Sequence, residues 1–160
     1  MDKLQIICID DQREVLATLK KDLAYFKPVA EIILCESATE ADEVLEELDA
    51  EGQPIALLIC DHIMPGENGV DFLSRINRDE RFLNVRKLLL TGLATQQDTI
   101  EAINRAHIDH YIAKPWSKED LLSSVKTLIT RFILRSDLDY ESYMTFMDHE
   151  ILYKELRRRT

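Results

Sequence analysis

Three stretches of the chain are almost unbroken hydrophobe: LQIICI at 4–9, IALLIC at 55–60 and LLL at 88–90, with EIILC at 31–35 and HYIA at 110–113 as weaker companions. Continuous apolar runs, rather than alternating ones, suit strands covered on both faces, as the strands of a parallel sheet are. The segments between them show helical spacing instead. Leu16, Leu19, Leu23 and Phe26 outline a first helix, Ala41, Val44, Leu45 and Leu48 a second, and Phe72, Leu73 and Ile76 a third. Ile100, Ile103 and Ala106 outline a fourth, and Leu121, Leu122, Val125, Leu128 and Ile129 a fifth.

Helix starts reinforce the pattern, because a short polar residue recurs with an acidic one three positions on: Ser37 with Glu40, Asn68 with Asp71, Thr95 with Asp98, and Ser117 with Asp120. Each pair can cap the orphan amides of a first turn. Strands alternating with helices in this way predict a parallel α/β sheet with right-handed crossovers. Beyond the fifth helix, Tyr140, Met144, Met147 and Ile151 recur at helical spacing, extended by Leu152 and Leu156. That predicts one further helix of about 20 residues, roughly 30 Å long. It reads equally well as a helix packed on the domain and as a dimerising or signalling connector.

Composition refines this picture. At 160 residues and 46% hydrophobic, the chain has room for one sizeable core and an extension, divided as residues 1–130 and 131–160. Net charge is −10, yet residues 131–160 hold six basic and six acidic side chains, leaving 14 basic against 24 acidic in residues 1–130. Such a surface repels nucleic acid and anionic lipid, so direct nucleic-acid or membrane binding by this segment is not expected. No apolar window reaches the length of a membrane span, and a cytoplasmic location is expected. Cys8, Cys35 and Cys60 lack metal-ligand spacing and sit within apolar runs, as buried structural thiols do.

Chemistry enters at the strand ends. Asp10 and Asp11 follow the first strand and Asp61 follows the third. In an open parallel sheet these ends form the ligand crevice, and three carboxylates sharing it need a positive partner; hard oxygen ligands suit Mg²⁺. Thr91 closes the fourth strand and Lys114 the fifth. A hydroxyl, an ammonium and a metal around one carboxylate are the parts that handle a phosphoryl group, with Asp61 as nucleophile. Taken singly the residues are weaker: Asp11 could simply cap the first helix with Glu14, and Thr91 could serve a turn. His62, beside Asp61, reads as a solvent-facing loop histidine rather than a base; His107, His110 and His149 show no metal spacing, and Trp116 is expected to pack at the start of the fifth helix.

CIDD (8–11), LLICDHIMPGENG (57–69), LLTG (89–92) and YIAKPW (111–116) together resemble the receiver domain of two-component response regulators over about residues 3–130. The resemblance implies a doubly wound, flavodoxin-like five-stranded sheet of order 2-1-3-4-5, here with an extra C-terminal helix. It implies that Asp61 accepts a phosphoryl group from a histidine kinase or histidine phosphotransfer protein. Asp11, Asp61 and the backbone carbonyl of Ile63 would ligate Mg²⁺, with Asp10 acting mainly through water. Lys114 would neutralise phosphoryl oxygens and Thr91 would donate its hydroxyl. Tyr111 would turn inward as Thr91 moves, remodelling the face made by the fourth helix, fifth strand and fifth helix toward an output domain, a protein target or a second copy. The peptide bond before Pro115 would be cis. Such a protein is a switch rather than an enzyme, catalysing only its own phosphotransfer and dephosphorylation. Ile63 and Leu93 stand where many receivers place polar residues that position hydrolytic water, so a long-lived phosphoryl group is expected.

Other readings remain. An Mg²⁺-dependent phosphohydrolase would usually carry an Asp-x-Asp pair after its first strand, whereas Asp10 and Asp11 are adjacent. A nucleotide-binding module is disfavoured because neither a Gly-x-Gly-x-x-Gly nor a Walker A pattern can be written from Gly52, Gly66, Gly69 and Gly92. A receiver that works as a phosphorylation-independent scaffold is the last alternative. The strand ends also resemble receivers attached to cyclic-di-GMP phosphodiesterase, phosphatase or kinase modules, but output does not follow from fold.

Overall fold

The computed structural model describes residues 1–92 and 96–159, with the backbone alone for 96–99 and 102. In chain order the elements are β1 (Leu4–Ile9), α1 (Arg13–Leu23), β2 (Ala30–Cys35), α2 (Ala38–Ala50), β3 (Ile55–Asp61), α3 (Gly69–Asn77), β4 (Arg86–Thr91), α4 (Gln96–Ala106), β5 (His110–Ala113), α5 (Lys118–Leu134) and α6 (His149–Arg159). The five strands pair in parallel in the order β2-β1-β3-β4-β5.

Two cores explain why the strands read as solid hydrophobe. Ile6, Cys8, Leu57, Ile59, Leu88 and Leu90 point to one side of the sheet, where Leu19 of α1 and Leu121, Val125 and Leu128 of α5 meet them. Ile7, Ile9, Leu58, Cys60 and Leu89 point to the other, against Leu45 of α2 and Phe72 and Leu73 of α3. Alternate side chains of one strand thus enter opposite cores, so successive positions along the middle of a central strand are apolar. The edge strands carry less of this burden: in β5 only Ile112 is buried, which is why HYIA is the weaker run. Three of the four expected caps are formed, Ser37, Asn68 and Ser117 each accepting a hydrogen bond from the amide three residues on. The fourth, Thr95, lies outside the described residues.

The C-terminal segment differs from the single long helix that its spacing predicts. Tyr140–Phe146 winds as a 3-10 helix, the chain opens to an extended conformation at Met147, and α6 begins afresh at His149. The break is held by side-chain chemistry that a hydrophobic pattern does not register. Asp148 donates its amide to Thr130 Oγ1 at 2.7 Å and accepts from the amides of Glu150 and Ile151 as a helix cap. Buried Tyr143, Met147 and Leu152 join the core beneath α1 and α5. Tyr143 also donates its hydroxyl to the Asp2 carbonyl, tying the extension to the entrance of β1.

Candidate functional site

The chain leaves β1 toward β2 on one side and continues from β3 toward β4 on the other, so the crevice at the C-terminal ends of β1 and β3 is the topological switch point. Register fixes what enters it. Ile9 pairs with Cys60, which brings Asp10 beside Asp61. Thr91 pairs with Ala113, which places Lys114 next in line, its amide donating to the Thr91 carbonyl at 2.8 Å.

The side chains converge there. Lys114 Nζ lies 2.8 Å from Asp10 Oδ2 and 2.8 Å from Asp61 Oδ1. Asp10, Asp11 and Asp61 each offer a carboxylate oxygen within 4.8 Å of the others. Asp10 is fully buried and its Oδ1 accepts the Gln12 amide at 2.9 Å, so both of its oxygens already have donors. Asp11 is exposed and does not cap the first helix, where Gln12 holds the N-cap position. Thr91 is buried at the end of β4. Tyr111 points outward, 45% exposed, rather than into the core. The Lys114–Pro115 peptide bond is cis.

One ammonium among three carboxylates leaves the pocket short of positive charge. Burial pushes the Asp61 carboxyl above its ordinary value; Asp10 and Asp11 push the same way, and together they outweigh the Lys114 contact. The same burial would lower Lys114, yet its bonds to Asp10 and Asp61 hold its pKa up. The two directions agree once it is seen that Lys114 has carboxylates to spare while Asp61 shares its cation.

The β3–α3 loop is shaped by glycine and by an arginine fork. Gly66 turns the chain at φ +81°. At Gly69 a Cβ atom would stand 1.9 Å from the Asp61 carbonyl oxygen, so only glycine lets α3 begin against the end of β3. Glu67 in that loop receives Arg75 Nε at 3.1 Å and Nη2 at 2.8 Å, while Arg75 also forks onto Asp42 of α2 at 3.1 and 2.9 Å. The clamp joins residues far apart in sequence, and nothing in the spacing announces it. The same holds for Trp116, whose Nε1 donates to Asp22 of α1 at 2.9 Å besides packing at the start of α5.

Cys8, Cys35 and Cys60 are buried free thiols; burial pushes all three well up, Cys35 to about 12. Ile63 is 73% exposed on the loop after Asp61, and Leu93 lies outside the described residues. Among the described residues the one group of three or more candidate metal-binding side chains is Asp10, Asp11 and Asp61. His149 instead meets the Met144 carbonyl through Nε2 at 2.7 Å. No helix among the described residues is long and apolar enough to cross a membrane.

The family model for the response regulator receiver domain matches residues 6–126. The chain belongs to this family.

Its relatives include the chemotaxis protein CheY of Pseudomonas aeruginosa, 28% identical over 132 residues that cover 80% of this chain and 98% of the relative. The response regulator Rre1 of Synechocystis is 27% identical over 98% of this chain and 63% of its own length. The hydrogenase transcriptional regulatory protein HoxA of Bradyrhizobium diazoefficiens is 28% identical over 84% of this chain but only 26% of its own length. The chain thus spans about a quarter of that regulator. Among solved structures, an uncharacterised protein from Neptuniibacter caesariensis superposes with a TM-score of 0.73 at 26% identity, covering 87% of this chain and 99% of the other. The signal receiver domain of an HD domain-containing protein from Pseudomonas fluorescens gives 0.72 at 23% identity, over 83% and 99%, and shows the fold alone. Receiver domains are signalling switches phosphorylated on an aspartate; they generally bind Mg²⁺ in an acidic pocket and imply a histidine kinase and an output.

Proposed function

We infer that this receiver takes its phosphoryl group on Asp61. The supporting observation is the convergence of Lys114 Nζ on Asp61 and Asp10, 2.8 Å from each, with Asp11 at the same rim. Asp61 attacks the phosphorus of a phosphohistidine on a histidine kinase or phosphotransfer protein; an O–P bond forms, the P–N bond breaks, and the imidazole departs with a proton. Lys114 and the Thr91 hydroxyl meet the phosphoryl oxygens, and Tyr111 moves inward with Thr91 to signal through α4, β5 and α5.

Mg²⁺ fits the donor set. The three carboxylates each bring an oxygen within 4.8 Å of the others, and a small inward movement brings that spacing to the roughly 4.2 Å that two opposite ligands of one Mg²⁺ span at about 2.1 Å each. Asp10, with both oxygens engaged by Gln12 and Lys114, is the one to act through water, leaving Asp11, Asp61 and the Ile63 carbonyl as direct ligands. When bound, the ion supplies the positive charge the pocket lacks and offsets the phosphoryl oxygens. Membership of the receiver family supports a switch acting in the cytoplasm over a phosphohydrolase. Residues 1–130 are the receiver; residues 131–160 are an extension docked on it, from which an output module or a second copy is addressed.

Incubation of the whole chain with acetyl phosphate and Mg²⁺, followed by intact mass, tests this. The parent should gain one phosphoryl group and Asp61→Asn none; labelling of the variant, or none of the parent, rejects the assignment. With apolar Ile63 beside the site, the label should decay over minutes to hours, and loss within seconds contradicts that part.

A further inference from the structure

A cleft of about 360 Å³ lies between α5 and α6, at the end of α5 distant in sequence from Lys114. Arg131, in the last turn of α5, and Arg135, the residue that caps its end, face it from one side; Lys154 and Arg158, one turn apart on α6, face it from the other. Between them Leu134 and Ile151 supply a half-buried apolar surface. In a chain of net charge −10 this is a local reversal of sign.

Intramolecular partners do not account for it. Glu155, the acid at this cleft, is engaged by Arg158 at 3.7 Å and Arg159 at 3.6 Å. Arg159 also donates to the Leu134 carbonyl at 3.0 Å, serving the C-terminal end of α5. Among the described residues Arg131, Arg135 and Lys154 have no ion pair, and Lys154 sits too early in α6 to serve that helix's own C-terminus. The excess charge reaches further inward. Arg86, at the start of β4, is buried with its Nε lacking a hydrogen-bond partner; burial lowers its pKa and the fields of Arg135 and Arg131 add to that, against Asp109. Four cations thus line the cleft against one acid, Glu155, which Arg158 and Arg159 already engage.

We propose that the α5–α6 cleft binds a small phosphate ester of nucleoside-diphosphate size. Its phosphates, with two or more negative charges, lie between the Arg131–Arg135 and Lys154–Arg158 pairs, and its ring system rests on Leu134 and Ile151. Guanidinium forks match phosphate oxygens in pairs, and several cations facing one another suit a polyvalent group better than a single carboxylate. The cleft's volume stands at the small end of small-molecule sites, roughly 300–1,000 Å³, whereas a protein partner requires a broader contact of about 800 Å² per side. Because the cleft's walls belong to two helices, an occupant links the extension to the receiver body and stabilises the docked arrangement by mass action.

The test is calorimetric titration of the full chain with ADP, with pyrophosphate and with a glutamate-rich peptide, in EDTA so that the acidic pocket holds no metal-bound phosphate. Arg135→Glu and Lys154→Glu, exposed residues on opposite walls of the cleft, are titrated alongside with circular dichroism as the folding check. ADP should bind the parent one to one and raise its Tm, pyrophosphate should bind about tenfold more weakly, and each reversal should weaken ADP about tenfold or more. If one variant fails to fold, the other decides, together with shifts of the Leu134 and Ile151 methyl resonances on ADP addition. No saturable ADP binding, equal binding by both variants, pyrophosphate as tight as ADP, or binding by the peptide in place of ADP overturns the proposal.

Discussion

Two lysines stand at opposite ends of the same sheet, and their surroundings separate a site from a brace. Lys114, beyond β5, touches two carboxylates at 2.8 Å and its pKa is held up by them. Lys87, near the start of β4, is more deeply buried, and its amine meets only neutral oxygens, Asn77 Oδ1 at 3.4 Å and the Val85 carbonyl at 3.2 Å. Burial lowers its pKa, with Asp109 opposing less strongly. Asp109 there bonds the Lys87 amide at 2.8 Å and pins β4 to the start of β5. Burial of charge is common to both ends. What distinguishes the C-terminal edge is an excess of one sign that the fold leaves uncompensated, room for a cation and a reacting group.

Removing each amine sharpens the contrast. Lys114→Met should slow labelling by acetyl phosphate about 100-fold, the size expected when one charged partner of a developing oxyanion is lost; a rate within a factor of a few of the parent would place Lys114 outside the chemistry. Gly69→Ala comes next, since its Cβ must displace the Asp61 carbonyl. It should destabilise the fold by about 1–3 kcal/mol, read by denaturant melts, and slow labelling as Asp61 shifts. An unchanged Cm would show that α3 can yield at no cost.

The third effect is on stability and pH. Because the Asp61 carboxyl is raised in the fold, the folded chain holds a proton that the unfolded chain has released, so metal-free stability declines as pH climbs from about 4. Asp61→Asn should therefore melt a few degrees above the parent at pH 7 in EDTA, with the gap closing toward pH 4. Added Mg²⁺ should raise the parent's Tm more than the variant's. A variant less stable than the parent at pH 7 would contradict the charge imbalance. Smallest of all, Lys87→Met should change stability by no more than about 1 kcal/mol, in the stabilising direction, because a buried amine gives way to an apolar chain of similar volume. Its labelling rate should match the parent's, and a large fall would erase the contrast between the two ends.

Sequence pattern goes far toward this site because its parts are local. The apolar runs end at Asp10, Asp61, Thr91 and Lys114, and in a parallel sheet the ends of neighbouring strands are neighbours in space. Ser37, Asn68 and Ser117 are legible for the same reason, each bonding within its own first turn. The features that escape the sequence are pairings across long separations. Arg75 with Asp42, Trp116 with Asp22, and Tyr143 with the Asp2 carbonyl depend on which segments pack together. The break at Met147 escapes as well, because Tyr140, Met144, Met147 and Ile151 keep helical spacing through it while the Asp148–Thr130 bond interrupts the backbone. Hydrophobic periodicity reports which side chains are buried, and not whether one continuous helix buries them.

The decisive measurement is the location of the phosphoryl group itself. Chain labelled with acetyl phosphate and Mg²⁺, then reduced with borohydride, converts an aspartyl phosphate to homoserine, which peptide mass spectrometry can place. Homoserine at position 61, with Asp10 and Asp11 intact, is the expected result. Homoserine at Asp10 or Asp11, or none in a chain whose mass shows the added phosphoryl group, would contradict the account.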